Sequence, residues 1–339
     1  MKSHPMPRHP AIAAALVLCL LNGIAAAQSV NPRPMQRATD DYLGLLMSKA
    51  YDKLDQAADE ARAKQVALSD GQPVLTALYA GVIGCGCADQ LNEELWQVRK
   101  QRIGEWAKRK PGSVTARVAV AGFPIGYAWM ARGGGYASTV SPEGWKLFAE
   151  RTEQGRRALQ ALDATARQDP GWYELMLNVA VSQGWPRDRF DALFSEAVSK
   201  HPYHSTFYFK RMSYYSPRWY GSAEDEKRVV EEAVERTRSR WGETMYARLN
   251  WRELDNTMFQ PGKTDWPRMK AGFEQMTKEY GDAWNINNFA KFACVARDYD
   301  TFAALAAKIG DNPVPEAWEP SVNIYKGCQK IAAKMAGKR

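Results

Sequence analysis

The chain has 339 residues, of which 45% are hydrophobic and 25% are charged, and its mean hydropathy is −0.49. These values are ordinary for globular proteins and exclude a disordered chain, a collagen-like fibre and a polytopic membrane protein. The length exceeds what one hydrophobic core usually supports, so we expect two domains or one elongated array. The formal net charge of +8 favours loose contact with anionic surfaces but indicates no specific partner.

The N-terminus has the features of a secretory signal peptide. Lys2 and Arg8 supply positive charge, residues 11–21 form an apolar run too short to span a bilayer, and residues 25–27 are alanines that suit cleavage before Gln28. Cleavage near Ala27 lowers the net charge to +6 and places the protein in the periplasm or outside the cell. Export disfavours nucleic acid as a partner, and the mature chain has no candidate transmembrane segment.

The cysteines fit an oxidising compartment. Lipidation of Cys19 is disfavoured because Leu18 precedes it, where a lipoprotein needs a small residue. The mature chain keeps four cysteines: Cys85, Cys87, Cys294 and Cys328. An even number in an exported protein indicates disulfides. We expect a Cys294–Cys328 bridge that holds a terminal helix, while Cys85 and Cys87 are either a tight disulfide, free thiols or a redox pair. Metal binding is disfavoured because no Cys-x-x-Cys motif occurs.

Hydrophobic periodicity predicts helices through most of the chain, and no stretch shows a sustained strand pattern. The strongest helix is 222–241, where Ser222 and Asp225 form a capping box, acidic residues occupy the first turn and arginines occupy the last. The other candidate helices are 38–65, 91–106, 113–131, 143–168, 172–183, 187–199, 203–214, 243–253, 266–279, 283–296, 298–309 and 318–335.

Pro or Gly turns recur along the chain in a way that indicates a repeat. Turns at Pro170, Pro202, Gly242 and Gly281 lie about 32 to 40 residues apart, close to the period of about 34 residues in tetratricopeptide helix pairs. We therefore predict an all-α, tetratricopeptide-like helix-pair repeat array, an α-α superhelix; an irregular helical bundle is the alternative. The predicted divisions are 1–27 signal peptide, 28–40 linker, 41–310 helical-repeat domain, and 311–339 proline-containing segment with a C-terminal capping helix.

Three short motifs carry a resemblance to a known family. They are KPGS at 110–113 after Trp106, AWMARG at 128–133 and PRWYGS at 217–222. Over roughly residues 45–310 the chain resembles the domain-of-unknown-function 4034 family. The resemblance implies a bacterial tetratricopeptide-like helical protein. It implies no established activity, cofactor or catalytic residue.

Five residues are candidates for a binding site: Arg132, Arg211, Arg218, Trp219 and Tyr208. Arginines beside aromatic rings either lock the loops between repeats or line a groove and hold a carboxylate or phosphate. Tyr and Arg are also enriched at binding hot spots, and the concave face of a solenoid is where partners bind.

The chain lacks the common catalytic motifs, including Gly-x-Ser-x-Gly, His-Glu-x-x-His and the P-loop, and only His201 and His204 remain after cleavage. We therefore predict an exported, non-catalytic helical-repeat protein that binds a protein or peptide in the cell envelope without cofactor or metal. One alternative is a carboxylate-dependent envelope hydrolase using one of four glutamates: Glu94, Glu174, Glu196 or Glu253. The other is a binder of small anionic ligands at Arg132 or Arg218.

Overall fold

The computed structural model describes residues 33–84, 93–251 and 257–337. Within these ranges all regular structure beyond one isolated bridge is helical, which confirms the all-α prediction. The α-helices described are α1 (Pro34–Met47), α2 (Tyr51–Lys64), α3 (Val74–Ile83), α4 (Glu93–Arg109), α5 (Val114–Arg132), α6 (Pro142–Gln160), α7 (Pro170–Ser182), α8 (Arg187–Lys200), α9 (Thr206–Tyr214), α10 (Ala223–Trp241), α11 (Thr244–Asn250), α12 (Trp266–Glu279), α13 (Ala283–Val295), α14 (Tyr299–Ile309) and α15 (Asn323–Ala336).

Several sequence predictions fall outside these ranges. The proposed signal peptide, Cys19, Cys85, Cys87 and Glu253 all lie outside the described residues. Among the helices that are described, none combines the length and apolar character needed to cross a membrane.

The helices pack largely in chain order. α5 packs on α6, α11 on α12, and α13 on α14, while α7 also contacts α9 and α10 also contacts α12. Each of these helices thus contacts the next helix in the chain or the second one after it. Stacked helix pairs show this pattern, because each pair buries its apolar face against the neighbouring pairs. This order is consistent with a helical-repeat fold; the tetratricopeptide-like superhelix itself stays a prediction.

The N-terminal boundaries differ from those predicted. Helix α1 begins at Pro34, inside the expected linker 28–40, because proline suits the first position of a helix. The expected helix 38–65 is two helices, because Lys49 has a left-handed backbone with φ of 60°. Helix α3 was not predicted because eight of its ten residues are buried, and a helix that is apolar on nearly all sides shows little periodicity.

Local capping signals are confirmed where the sequence showed them clearly. The Ser222 hydroxyl accepts from the Asp225 N–H at 3.1 Å, and the Asp225 carboxylate accepts from the Ser222 N–H at 3.1 Å. The predicted helix 143–168 instead ends at Gln160, and in the turn that follows the Asp163 carboxylate accepts from the Ala166 N–H at 2.9 Å. An aspartate that bonds a nearby backbone N–H competes with continued helix.

The loop between α2 and α3, residues 65–73, joins distant parts of the chain, and we call it the crossing loop. The Asp70 carbonyl accepts hydrogen bonds from Arg248 Nη2 on α11 at 2.8 Å and from Asn285 Nδ2 on α13 at 3.2 Å. Gly71 has φ of +82°, and a Cβ there would lie 2.3 Å from Arg248 Nη2. Glycine is therefore required both by the backbone angle and by the close approach of the guanidinium.

The C-terminal helix is covalently attached to the array. Cys294 on α13 and Cys328 on α15 have sulfur atoms 1.96 Å apart and Cα atoms 6.0 Å apart, which confirms the predicted pairing. Tyr325 on the same terminal helix packs against Trp318, with ring centroids 4.9 Å apart, and both side chains are buried. Trp318 and Tyr325 thus pack into the core, and the bridge ties α15 to α13.

Asp298 gives the C-terminal region a pH-dependent contribution to stability. Burial alone raises the pKa of this carboxyl, but hydrogen bonds from Thr301, Lys270 and Trp266 outweigh burial and lower its pKa from 3.8 to about 2. A depressed pKa stabilises the fold above the unfolded-state value, and the contribution is lost as the pH falls from about 4 to about 2.

We therefore expect wild type to lose about 2 kcal/mol more unfolding free energy than Asp298→Asn on going from pH 5 to pH 2. Urea unfolding at a series of pH values measures both proteins. Parallel pH profiles for the two would contradict the assignment, because every other titrating group is shared.

Candidate functional site

A cavity of about 200 Å³ lies where the ends of several helices meet. The ends of α2, α10 and α12 and the beginnings of α3, α5 and α7 contribute to its wall, together with the turn between α8 and α9. Apolar groups make up most of the lining, including Ala61, Val66, Leu75, Val114 and Pro170. Concave, mainly apolar sites with a few polar groups are typical of small-molecule binding.

One wall of the cavity contains a buried ion pair. Asp169 has a fully buried side chain and accepts from Arg62 Nε at 2.5 Å and, as the cap of α7, from the Gly171 N–H at 2.7 Å. Arg62 also donates to Asp59 and to the Thr115 hydroxyl. Because Arg62 has several acceptors already, this wall offers no free charge to a ligand.

Another part of the cavity wall carries an exposed cation, Arg240, among aromatic rings. Arg240, in the last turn of α10, lies with its guanidinium 4.9 Å from the Tyr203 ring centroid and 5.8 Å from that of Trp241. Within the described part of the chain Arg240 forms no ion pair. Tyr280 completes this wall. Burial, reinforced by Glu279, raises the Tyr280 pKa to about 12, so its hydroxyl is uncharged at neutral pH.

His201 and His204 both line the cavity. His201 Nε2 lies 2.8 Å from the Gln168 carbonyl oxygen, so this nitrogen carries a proton and donates. Burial lowers the pKa of His201, which favours the neutral ring near pH 7. His204 is more deeply buried and packs against Phe207, with ring centroids 4.6 Å apart.

Beneath His204 lies a compact polar cluster. The Thr76 hydroxyl donates to Glu174 Oε1 at 2.5 Å and lies 2.8 Å from the Thr206 hydroxyl. His204 Nε2 contacts the same Glu174 oxygen and lies 3.4 Å from Thr76 Oγ1. A nucleophile–histidine–acid relay uses both ring nitrogens. Here hydroxyl and carboxylate face one nitrogen, so the arrangement satisfies buried polar groups rather than activating a nucleophile.

The other described glutamates considered for hydrolysis lie at the surface. Glu196 accepts from the Tyr173 hydroxyl at 2.7 Å and from Lys200 at 2.9 Å, and these bonds, that of Lys200 foremost, lower its pKa. A general acid needs the opposite shift. Glu94 is exposed on α4.

The arginines and aromatics singled out in the sequence do not line this cavity. Arg132 donates to the carbonyls of Gly133 at 2.9 Å and Gly135 at 3.2 Å, and its guanidinium lies between Trp129 and Trp145, 5.3 and 5.4 Å from their centroids. These contacts hold the loop after α5, which is the loop-locking role considered for it.

The remaining predicted residues are also dispersed. Arg211 is buried and paired with Asp191 at 2.5 Å and Glu232 at 2.9 Å. Tyr208 is buried and donates to the Pro202 carbonyl at 2.9 Å. Arg218 is exposed, while half-buried Trp219 lies 6.2 Å from Trp129 between ring centroids.

A wider depression of about 640 Å³ lies beside α10 and α12. Its arginine, Arg268, is bonded to Glu231 at 2.7 Å and to Glu243 at 3.0 Å. This guanidinium is therefore already neutralised, and the cavity with Arg240 is the stronger candidate site.

Comparison with known proteins adds no further constraint. No protein-family model, no curated protein and no solved structure matches the chain. The resemblance to the domain-of-unknown-function 4034 family stays a prediction.

Proposed function

We propose that the protein is an exported, tetratricopeptide-like binding protein whose cavity takes a small organic anion with an apolar body. The observation that supports this most strongly is the position of Arg240 at the edge of an apolar cavity without a carboxylate partner among the described residues. A guanidinium binds carboxylates with two parallel hydrogen bonds, and adjacent rings hold it in place.

The apolar lining determines the remainder of the ligand. A cavity of about 200 Å³ has room for a molecule of some seven water volumes. The rings of Tyr203, Trp241 and Tyr280 suit an aliphatic or aromatic body. The Arg62–Asp169 pair and the neutral His201 add polar groups without adding a net charge.

The crossing loop favours a small ligand over the protein or peptide partner expected from the sequence. Asp70 within this loop bonds directly to Arg248 and Asn285, so the chain itself occupies the space between its N-terminal and C-terminal helices. An extended peptide would have to displace these contacts, whereas a small molecule enters beside them.

Export is supported by two independent features. The N-terminal sequence has the charge, apolar run and small residues of a signal peptide. The Cys294–Cys328 bridge is typical of an oxidising compartment.

The test compares charged ligands with neutral ligands of the same shape. Hexanoate and phenylacetate, each beside its amide, are titrated into the protein by calorimetry. We expect at least one acid to bind at least tenfold more tightly than its amide. We expect Arg240→Gln to remove this preference, since a hydrogen bond to a charged group contributes about 1.5–3 kcal/mol.

The matched control is Arg236→Gln. Arg236 is exposed on the same helix, one turn earlier, and does not line the cavity. The variant Arg236→Gln removes the same charge and should change the affinity for the acid less than twofold. An equal loss of affinity in both variants would show nonspecific electrostatic attraction. An unchanged preference for the acid in Arg240→Gln would overturn the proposal.

A further inference from the structure

A second cavity, of about 220 Å³, shares the crossing loop as a wall. Gly71 lines the first cavity, whereas its neighbours Asp70 and Gln72 line the second. Arg248 from α11 and Asn285 from α13 form the rest of its buried polar lining. The half-buried rings of Phe209, Trp251 and Trp284 lie around them.

Arg248 is a buried cation that forms no ion pair with a carboxylate of the described residues, and the charge of Asp70 attracts it only from beyond ion-pair distance. Only 8% of it is exposed; among the described residues its Nη2 donates to the Asp70 carbonyl, and its buried Nε has no acceptor. No ion pair to Arg248 occurs among the described residues. Burial lowers its pKa, which reflects the cost of holding this charge away from water. A bound anion would offset this cost.

Asp70 is the complementary case. Its carboxylate is 3% exposed and accepts from the Gln72 N–H at 3.0 Å and from Gln72 Nε2 at 2.9 Å. Neither donor is charged, and within the described ranges no cation lies within ion-pair distance of the Asp70 carboxylate, although its charge attracts Arg248 from farther away. A carboxylate has about four acceptor positions, so it retains capacity for another donor.

We propose that this cavity binds the zwitterionic head of an α-amino acid. The ligand carboxylate bonds to the Arg248 guanidinium, and the ligand ammonium bonds to the Asp70 carboxylate. A simple anion would be repelled by Asp70 and a simple cation by Arg248, so only a molecule with both charges satisfies the two walls at once. The rings of Trp251 and Trp284 then contact the ligand's side chain and ammonium.

This site is independent of the organic-anion site, and its test starts from the intact protein. Each of the twenty common α-amino acids is titrated into the mature chain by calorimetry. The tightest binder is then compared with its deaminated and decarboxylated analogues, for leucine 4-methylpentanoate and isopentylamine, in the Arg240→Gln variant, where the first cavity no longer prefers a carboxylate. We expect both analogues to bind at least tenfold more weakly. The proposal is overturned if no amino acid binds or if either analogue binds equally well.

Variants locate the binding. Asp70→Asn keeps the shape and an acceptor oxygen but removes the charge, so the amino acid should bind at least tenfold more weakly while the deaminated acid binds at least as tightly as before. Arg240→Gln in the other cavity should leave amino-acid affinity within twofold. An unchanged affinity in Asp70→Asn contradicts the proposal. Should Asp70→Asn not fold, the comparison of the three ligands in the Arg240→Gln variant decides alone.

Discussion

Replacing Asp169 with alanine is expected to destabilise the protein by about 3–5 kcal/mol, because it leaves the largely buried Arg62 without its buried counter-charge. The same change removes the acceptor that caps α7 at the Gly171 N–H. Burial and the neighbouring Asp169 charge raise the pKa of the Tyr79 hydroxyl, which shows how closely these groups are coupled. Guanidinium unfolding monitored by circular dichroism measures the loss.

The chain provides a matched control in Asp59, which binds the same arginine. Asp59 contacts Arg62 Nη1 at 2.6 Å, but its side chain is 76% exposed, against 0% for Asp169. Exposed pairs contribute about 0–1 kcal/mol, so Asp59→Ala should alter stability by less than about 1 kcal/mol. If Asp169→Ala lowered the unfolding free energy as little as Asp59→Ala, the buried ion pair would not stabilise this wall.

Loss of the Cys294–Cys328 disulfide is expected to lower the unfolding free energy by about 4 kcal/mol. The bridge closes a loop of 34 residues, and releasing a loop of that length restores conformational entropy to the unfolded chain. The effect should be seen in the double variant Cys294→Ser/Cys328→Ser, measured by guanidinium unfolding.

Reduction of the protein tests the same bridge without changing a side chain. A reductant should destabilise wild type as much as the double serine variant is destabilised. The reductant should destabilise the variant Cys85→Ser/Cys87→Ser by the same amount as wild type. This control separates the effect of the C-terminal bridge from any effect of the other two cysteines. A change below about 1 kcal/mol on reduction would show that packing of Trp318 and Tyr325 alone holds α15 in place.

Features governed by local chemistry could be predicted from the sequence. The capping box of α10 depends on Ser222 and Asp225, three residues apart, and both bonds are present. The Cys294–Cys328 disulfide was expected from an even number of cysteines in a chain predicted to be exported. Helix α3 could not be found in this way, because burial of nearly all its residues removes the alternation of polar and apolar positions.

The candidate site could not be predicted, because its parts meet only in the folded chain. The cavity runs from Ala61 to Tyr280 in sequence, and no short motif connects them. From the sequence alone, Arg240 is one of several arginines near the C-terminus of α10 that complement its helix dipole. What distinguishes it is the apolar surface supplied by other helices and the lack of a carboxylate partner among the described residues. Arg132, by contrast, stood in a recognisable motif and proves to hold its own loop.

The most direct test of the proposed function is a crystal structure of the mature protein with phenylacetate. We expect the ligand ring to lie against Tyr203 and Trp241 in the first cavity, with its carboxylate oxygens about 2.7–2.9 Å from the Arg240 guanidinium nitrogens. An empty first cavity at a ligand concentration that saturates binding in solution, or a ligand bound there with its carboxylate turned away from Arg240, would contradict it.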